Sequence, residues 1–264
     1  MLFFRYLFIF CFSLLYSNIG AQTDSVRLRN GFKGMQNQVF IGFNYSRLTP
    51  FGDLADRFGS ANSVGISAHY KFAGNFQIQG GIHSLFGSKV KEYSVFDTLI
   101  GSSGYLLDLN GNYAEVKLYE RGYYWHIDAG KIFPLNGFNV NSGIFVSAGL
   151  GFIQHKIKFN FQRTVLPQIE GDYQKGYDRL TNGLMFRGFA GYQHLSPSGM
   201  FNFVAGIEVL QGSTRSRREF NFDTRIADTK VRNDLMLGLK MGIMINIYRR
   251  GRGNLNDREE KIYQ

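Results

Sequence analysis

Asp234-Leu-Met-Leu-Gly-Leu-Lys-Met-Gly-Ile-Met-Ile-Asn-Ile-Tyr248 places a large apolar residue at every second position: Leu235, Leu237, Leu239, Met241, Ile243, Ile245 and Ile247. Between them stand Met236, Gly238, Lys240, Gly242, Met244 and Asn246, a mixed set carrying charge, amide and glycine. A period of two sustained over this length is a β-strand with one oily face. At about 3.3 Å per residue and a tilt near 40°, the run rises roughly 30 Å, the thickness of a bilayer's hydrocarbon. A soluble sandwich strand rarely needs that length. The stretch therefore predicts a transmembrane strand, oily side to lipid and the other side to a filled lumen.

Seven further segments repeat the pattern. Gln38 to Ser46 offers Val39, Ile41, Phe43 and Tyr45, and Ser63 to Phe72 offers Val64, Ile66, Ala68, Tyr70 and Phe72. Asn75 to His83, Tyr123 to Phe133, Phe138 to Phe152, Leu184 to His194 and Met200 to Leu210 alternate in the same way. Lys131 interrupts the oily register near one strand end, where a long side chain can snorkel. The connections alternate too. Ala73-Gly74, Pro134 to Gly137 and Leu195 to Gly199 are short and rich in turn residues. Arg47 to Asn62, Ser84 to Gly122, Ile153 to Gly183 and Gln211 to Asn233 are long, and the alternation that continues within them at Lys156 to Phe161 and Glu219 to Phe222 predicts hairpins extended beyond the membrane as a projecting sheet. Short and long in strict succession predict tight periplasmic turns and larger extracellular loops. The expected fold is all-β, an eight-stranded antiparallel up-and-down transmembrane barrel within residues 22–248, with both mature termini periplasmic. Aromatics gather where such strands meet headgroups: Phe72, Phe76, Phe133, Phe138, Tyr192, Phe201 and Tyr248 at one end, Tyr45, Tyr123, Trp125 and Phe186 at the other.

Targeting and composition agree with this. Arg5, the apolar run Leu7 to Tyr16 and small Gly20-Ala21 read as a secretory signal peptide over residues 1–21. Cys11, the chain's single cysteine, leaves with it, so the mature chain has no disulfide or thiolate chemistry. Mean hydropathy is only −0.18 although aromatics make up 16% of the chain, as alternation would produce. The formal charge of +10 is spread through loops and tail, and a secreted chain does not meet nucleic acid. Anionic lipopolysaccharide is the expected counter-charge. Residues 249–264 form a polar periplasmic tail that begins Arg249-Arg-Gly-Arg252 and suits interfacial anchoring.

With signal, strand count and loop asymmetry in hand, the chain resembles the small OmpA/OmpX-like outer-membrane barrels in the version common in Bacteroidota. Its closing strand resembles the signal read by the barrel-assembly machinery through Lys240, Gly242, Ile245 and Ile247, with the departure that a tail follows Tyr248. The resemblance implies an outer-membrane location, insertion by that machinery, and a non-enzymatic role in binding or assembly through loops or tail with a protein partner. A narrower likeness is to a PorT-like component of type IX secretion. The competing classes are a lipid-modifying or hydrolytic barrel enzyme and a narrow channel.

An eight-stranded lumen is just wide enough to be filled by side chains. Its register collects His69, His83, His126, Asp128, Arg187, Glu208 and Lys240. Buried charges must pair, so Asp128, Arg187, Glu208 and Lys240, with His126, are expected to form a polar plug. His126, Asp128 and Ser147 as a hydrolytic triad would lie in a packed lumen without a cleft, and the rim residues Ser213, Ser216 and Asp178 have no accompanying histidine. His69 with His83 is an incomplete metal site. Gly149-x-Gly151 reads as strand glycine rather than a phosphate loop. No catalytic, metal or cofactor site is assigned. In the last loop, Arg215, Arg217 and Arg218 form the candidate contact for a partner or lipopolysaccharide phosphate.

Overall fold

The alternating runs become eight antiparallel strands closed into a barrel in a computed structural model that describes residues 37–100, 104–135, 139–161, 166–197 and 201–250. They are β1 (Asn37–Gly52), β2 (Ala61–Lys71), β3 (Phe76–Gly87), β4 (Val116–Pro134), β5 (Gly143–Phe161), β6 (Thr181–Leu195), β7 (Asn202–Ser216) and β8 (Val231–Arg250). Each strand pairs with its sequence neighbour, and β8 closes on β1 from Asn37↔Arg250 to Gly52↔Asp234. The short connections and both chain ends of the barrel lie at one rim. The expected signal segment, residues 1–21, and residues 251–264 of the expected tail lie outside the described residues.

In the expected register the apolar residues face outward. Ile243, Ile245 and Ile247 on β8, Ile66 on β2, Ile82 on β3 and Ile127 on β4 are all exposed. Lys131 sits over the rings of Phe76 and Phe133, 4.9 and 5.6 Å from their centroids, so its cation is held at the rim by aromatic faces.

The strands run further than the oily pattern indicates, and the reason is an inversion. On β5, Ile144, Val146 and Leu150 point out. Past Phe152 the same outward positions hold Gln154, Lys156, Lys158 and Asn160, while Ile153, Ile157 and Phe159 are buried inside. On β1 the swap occurs at Arg47, out, and Leu48, in. The ladder continues unbroken. Only the polarity of its two faces is exchanged, which is what a strand leaving hydrocarbon for water requires. The expected first loop, 47–62, thus continues as strand to Gly52 and then turns through the short helix α1 (Asp53–Arg57), and β4 begins at Val116 rather than Tyr123. The expected extension at Lys156 to Phe161 is part of β5, whereas Glu219 to Phe222 is loop carrying the isolated bridge Asn221↔Ile226. β5 begins later than expected, at Gly143, after a turn at residues 140–141; residues 136–138 lie outside the described ones.

The interior is filled in three layers. Near the short-turn rim, Phe40, Ile132, Phe145, Phe189, Leu195, Val204 and Met244 form an apolar cluster. At the opposite end a larger one joins Leu48, Leu85, Leu118, Ile153, Ile157, Met185 and Met236 to the loop residues Leu54, Phe58, Val90, Phe96, Leu166 and Tyr177. Between them lies a polar layer. Because Leu85 is fully buried in the larger cluster, Leu85→Ala is expected to cost about 2–5 kcal/mol. A fall in the urea midpoint of the purified barrel would register it, and an unchanged midpoint would contradict this packing.

Candidate functional site

Inward positions at mid-height place Asn44 on β1, Ser67 and His69 on β2, Gln77, Gln79 and His83 on β3, His126 and Asp128 on β4, Arg187 on β6 and Glu208 on β7. They join into one hydrogen-bonded chain. Asn44 Nδ2 donates to Ser67 Oγ at 2.7 Å, Ser67 Oγ meets His69 Nε2 at 2.7 Å, and Gln77 Nε2 donates to His69 Nδ1 at 3.0 Å. Gln77 Nε2 also reaches Gln79 Oε1 at 3.3 Å, and Gln79 Nε2 donates to Asp128 Oδ2 at 3.0 Å. Arg187 NH1 donates to that same Asp128 oxygen, while its Nε and NH2 reach Glu208 Oε2 at 3.2 and 3.0 Å. The guanidinium thus lies between two carboxylates, the full pairing that a buried ion needs.

Two details make the meeting possible. Gly149 stands opposite both Asp128 and Arg187 in the ladders. A Cβ there would lie 2.1 Å from the Ile127 carbonyl oxygen and 2.5 Å from Asp128 Oδ1, so the glycine lets β5 lie close beside the Asp128 carboxylate. His126 Nδ1 contacts Asp128 Oδ1 at 3.1 Å and its Nε2 faces His83 Nε2 at 3.2 Å. With Nδ1 the donor to the carboxylate, Nε2 is left to accept from His83. Lys240 is buried in the same layer but makes no ion pair among the described residues. His69 does not meet His83; its partners are Ser67 and Gln77. Among the described residues no cluster suits a metal ion.

A second array was not read from the sequence. Beneath the loops, His155 Nε2 and Asp234 Oδ2 are 2.9 Å apart, and Thr214 Oγ1 donates to the same oxygen at 2.5 Å. All three are buried, and Phe58 packs edge-on against the imidazole. The hydroxyl is bonded to the carboxylate instead of the imidazole, so the three groups do not form the relay in which a histidine takes the nucleophile's proton. Glu120 on β4 is also buried, and neither carboxylate oxygen has a hydrogen-bond partner. The only signal for these residues was their place in the inward register above the belt.

The loops close over this end through charge. Arg57 from α1 pairs with Glu92 at 2.9 Å and Asp228 at 3.5 Å. Arg179 reaches Glu92 at 2.8 Å and grips Asp223 with two nitrogens. Arg218 Nε and NH2 bind Asp178 at 2.8 and 2.5 Å, and Arg232 binds Asp228 at 2.6 Å. All four loops are tied. Arg179 has φ 51, in the left-handed region; a non-glycine residue there is held by its surroundings, here by its carboxylate partners. Burial opposes ionisation of Asp223 and Asp228, yet hydrogen bonds from Arg179 and Arg232 hold both carboxyls below the usual range. For Arg57 burial prevails and lowers the guanidinium's basicity despite Glu92.

Of the loop arginines singled out in the sequence, Arg218 belongs to this lid. Arg217 donates from Nε to Asn182, and Arg215 is exposed on the outward face of β7. Ser213 shares that face, and Ser216 is half-buried at the strand end.

No family model matches the chain, and no curated protein matches it. Among solved structures it is similar to Neisserial surface protein A, at 12% identity over 78% of this chain and 96% of that one, with a TM-score of 0.41. It is also similar to Ail, the attachment invasion locus protein of Yersinia pestis, in complex with the heparin analogue sucrose octasulfate, at 12% identity over 80% and 100%, TM-score 0.37. The outer membrane protein OprG from Pseudomonas aeruginosa follows at 12% over 81% and 99%, TM-score 0.37. These are outer-membrane barrels, and at such identities they supply no correspondence of functional residues. The narrower likenesses, to the Bacteroidota version and to a PorT-like component, find no support among them.

Glu208→Ala leaves Arg187 with one carboxylate in a sealed layer and is expected to cost about 3–5 kcal/mol. Replacing Asp128, Arg187 and Glu208 together by Asn, Met and Gln should cost less, since no unpaired ion remains. Denaturation midpoints of the two variants compare them directly. In the lid, folded-state values of Asp223 and Asp228 lie below their unfolded ones. Their stabilisation is therefore complete above about pH 4 and lost as pH falls through the folded values. Pepsin should cut the loops of the membrane-embedded barrel below that pH, whereas Arg179→Met should open them to trypsin at neutral pH. Loops equally resistant in both conditions would exclude the charge-tied lid.

Proposed function

We propose that the protein is a non-conducting barrel of the outer membrane that serves as a binding or assembly component through its extracellular surface. The observation carrying this reading is the three-layered interior. A belt of exposed apolar residues calls for lipid around the wall, while two apolar clusters seal a polar layer in which Arg187 is 1% exposed. A lumen filled in this way among the described residues argues against a route for ions or substrate. The buried His155, Asp234 and Thr214 have neither a free hydroxyl nor a cleft, which weighs against a hydrolytic barrel.

The lid's outer surface is where a partner can be met. It exposes Tyr105, Leu109, Tyr113, Phe220 and Ile226 above the charge-paired floor. Side chains of this kind, outside the belt and unused by the core, suit a protein contact. The secretion-system reading has no residue among the described ones to carry it, and the tail beyond residue 250 is a second place where such a partner could dock.

Planar-bilayer recording of purified protein is expected to give no stable ohmic openings, and large sustained conductance would overturn the sealed-barrel reading. Changing Tyr105, Leu109 and Tyr113 together to Ser should leave heat-resistant folded mobility intact while abolishing partners cross-linked in native membranes. Loss of those partners only on deletion after Arg250 would place the function on the other side.

A further inference from the structure

The outer wall of the barrel is not the same all round. On β5, β6 and β7 the side chains just above the apolar belt are strongly basic. Lys156 and Lys158 stand on β5, beyond the end of its ladder with β6, and Arg215 and Arg217 on or just beyond β7, with Asn182 of β6 paired to Gln154 on one side and Arg215 on the other. No carboxylate occupies an outward position of these three strands at this height; Asp178, from the loop, lies 3.9 Å from Lys156 and is already held by Arg218. Beside β5, β4 adds Arg121 and Lys117, the latter 3.3 Å from Glu115; on β1, β2 and β3, across the barrel, the outward residues at this height are Arg47, Thr49, Asn62, Ser84 and Phe86, and Arg47 NH1 is bonded to Asn62. Basic residues that merely snorkel would be distributed around the whole barrel. These are on one side.

Directly beneath this basic patch the wall carries a notch of ≈ 260 Å³. Leu150, Leu184 and Phe186 line it on β5 and β6, and Gln211, Ser213 and Asn233 on β7 and β8. Leu184 and Leu150 are 76% and 70% exposed, so they stand out from the wall as two ridges. Gln211 Nε2 donates to Asn233 Oδ1 at 2.6 Å, a polar bridge between β7 and β8 on the notch's flank. The volume is below the roughly 300–1,000 Å³ of small-molecule pockets. Its position decides the occupant: it opens sideways into the belt, where the surrounding molecules are acyl chains.

From this juxtaposition of an apolar notch in the belt with two cationic pairs above it, the geometry points to a seat for a phosphorylated, multiply acylated glycolipid of the outer leaflet, lipopolysaccharide in an outer membrane. One acyl chain lies in the notch between Leu150 and Leu184. The pairs on β5 and β7 are two interstrand spacings apart, about 10 Å, wider than one phosphate and suited to a head group phosphorylated at both ends. Gln211, Ser213 and Asn182 meet its hydroxyl and amide groups between them. Arginine and lysine at this height gain from phosphate without the penalty of burial. The inference rests on the reading of the barrel as an outer-membrane protein and deepens it by naming the lipid that the wall selects.

The test uses the full chain in nanodiscs of phosphatidylcholine, titrated with short-chain lipopolysaccharide or with phosphatidylglycerol and read by native mass spectrometry. Wild type should prefer lipopolysaccharide. Lys156→Gln, Lys158→Gln and Arg215→Gln combined should weaken it on the order of a hundredfold, from about fivefold per charge. Leu184→Trp, which fills the notch, should weaken it severalfold with the charges intact, and Arg47→Gln on the far wall should change nothing. Equal binding of the two lipids, unchanged binding by the triple variant, or an equal loss in Arg47→Gln would overturn the seat. Heat-resistant mobility confirms folding of each variant. A wild-type chain that does not enter the bilayer would overturn the membrane reading itself, whereas insertion without selective binding overturns the seat alone.

Discussion

Every strand of this protein must have a hydrogen-bonded neighbour on both sides. In hydrocarbon no water can satisfy an open edge, so the pairing of β8 with β1 is the constraint from which the rest follows. Once the ring closes, the period of two divides each strand between lipid and lumen, and eight strands fix a lumen that only side chains can fill. The interior charges are a consequence of that filling. Arg187 is tolerated because β4 and β7 deliver carboxylates to it and because Gly149 lets β5 lie close beside one of them.

The lower half of the barrel was legible because lipid imposes one rule on every outward position. Ile243, Ile66 and Ile127 are apolar for the same reason, so eight segments announce themselves without any alignment. The inward register likewise exposed Asp128, Arg187 and Glu208, since charges alternating with oily residues have nowhere else to point. Their particular partners were less legible. Lys240 looked equivalent to Arg187 from spacing alone, but a single ammonium lacks the fork with which a guanidinium spans two carboxylates.

Above the belt the rule reverses, and a reading keyed to an oily outer face loses the strands there. Leu48 and Leu118 carry the alternation on the other face, in segments that an oily register leaves as loop, whereas the alternation of Lys156 to Phe161 is plain enough to announce the extension of β5. The lid was less legible still. Arg57, Glu92, Arg179 and Asp228 come from four different connections, and their meeting is fixed by the closure of the barrel below them. Nothing local in any one loop encodes it. Arg218 illustrates the difficulty: within its own segment it stands in a basic run, yet its partner, Asp178, is supplied by the preceding loop.

The same distribution of partners makes the lid a product of the finished ring. Asp223, Asp228 and Arg232 belong to the last hairpin, so without it Arg57 and Arg179 lack acids that hold them in the closed lid. Each loop taken alone has its charges incompletely matched and its apolar residues without a core to join. The long-loop half of the molecule is in effect a domain with no continuous stretch of chain of its own, and it exists only once all eight strands are paired.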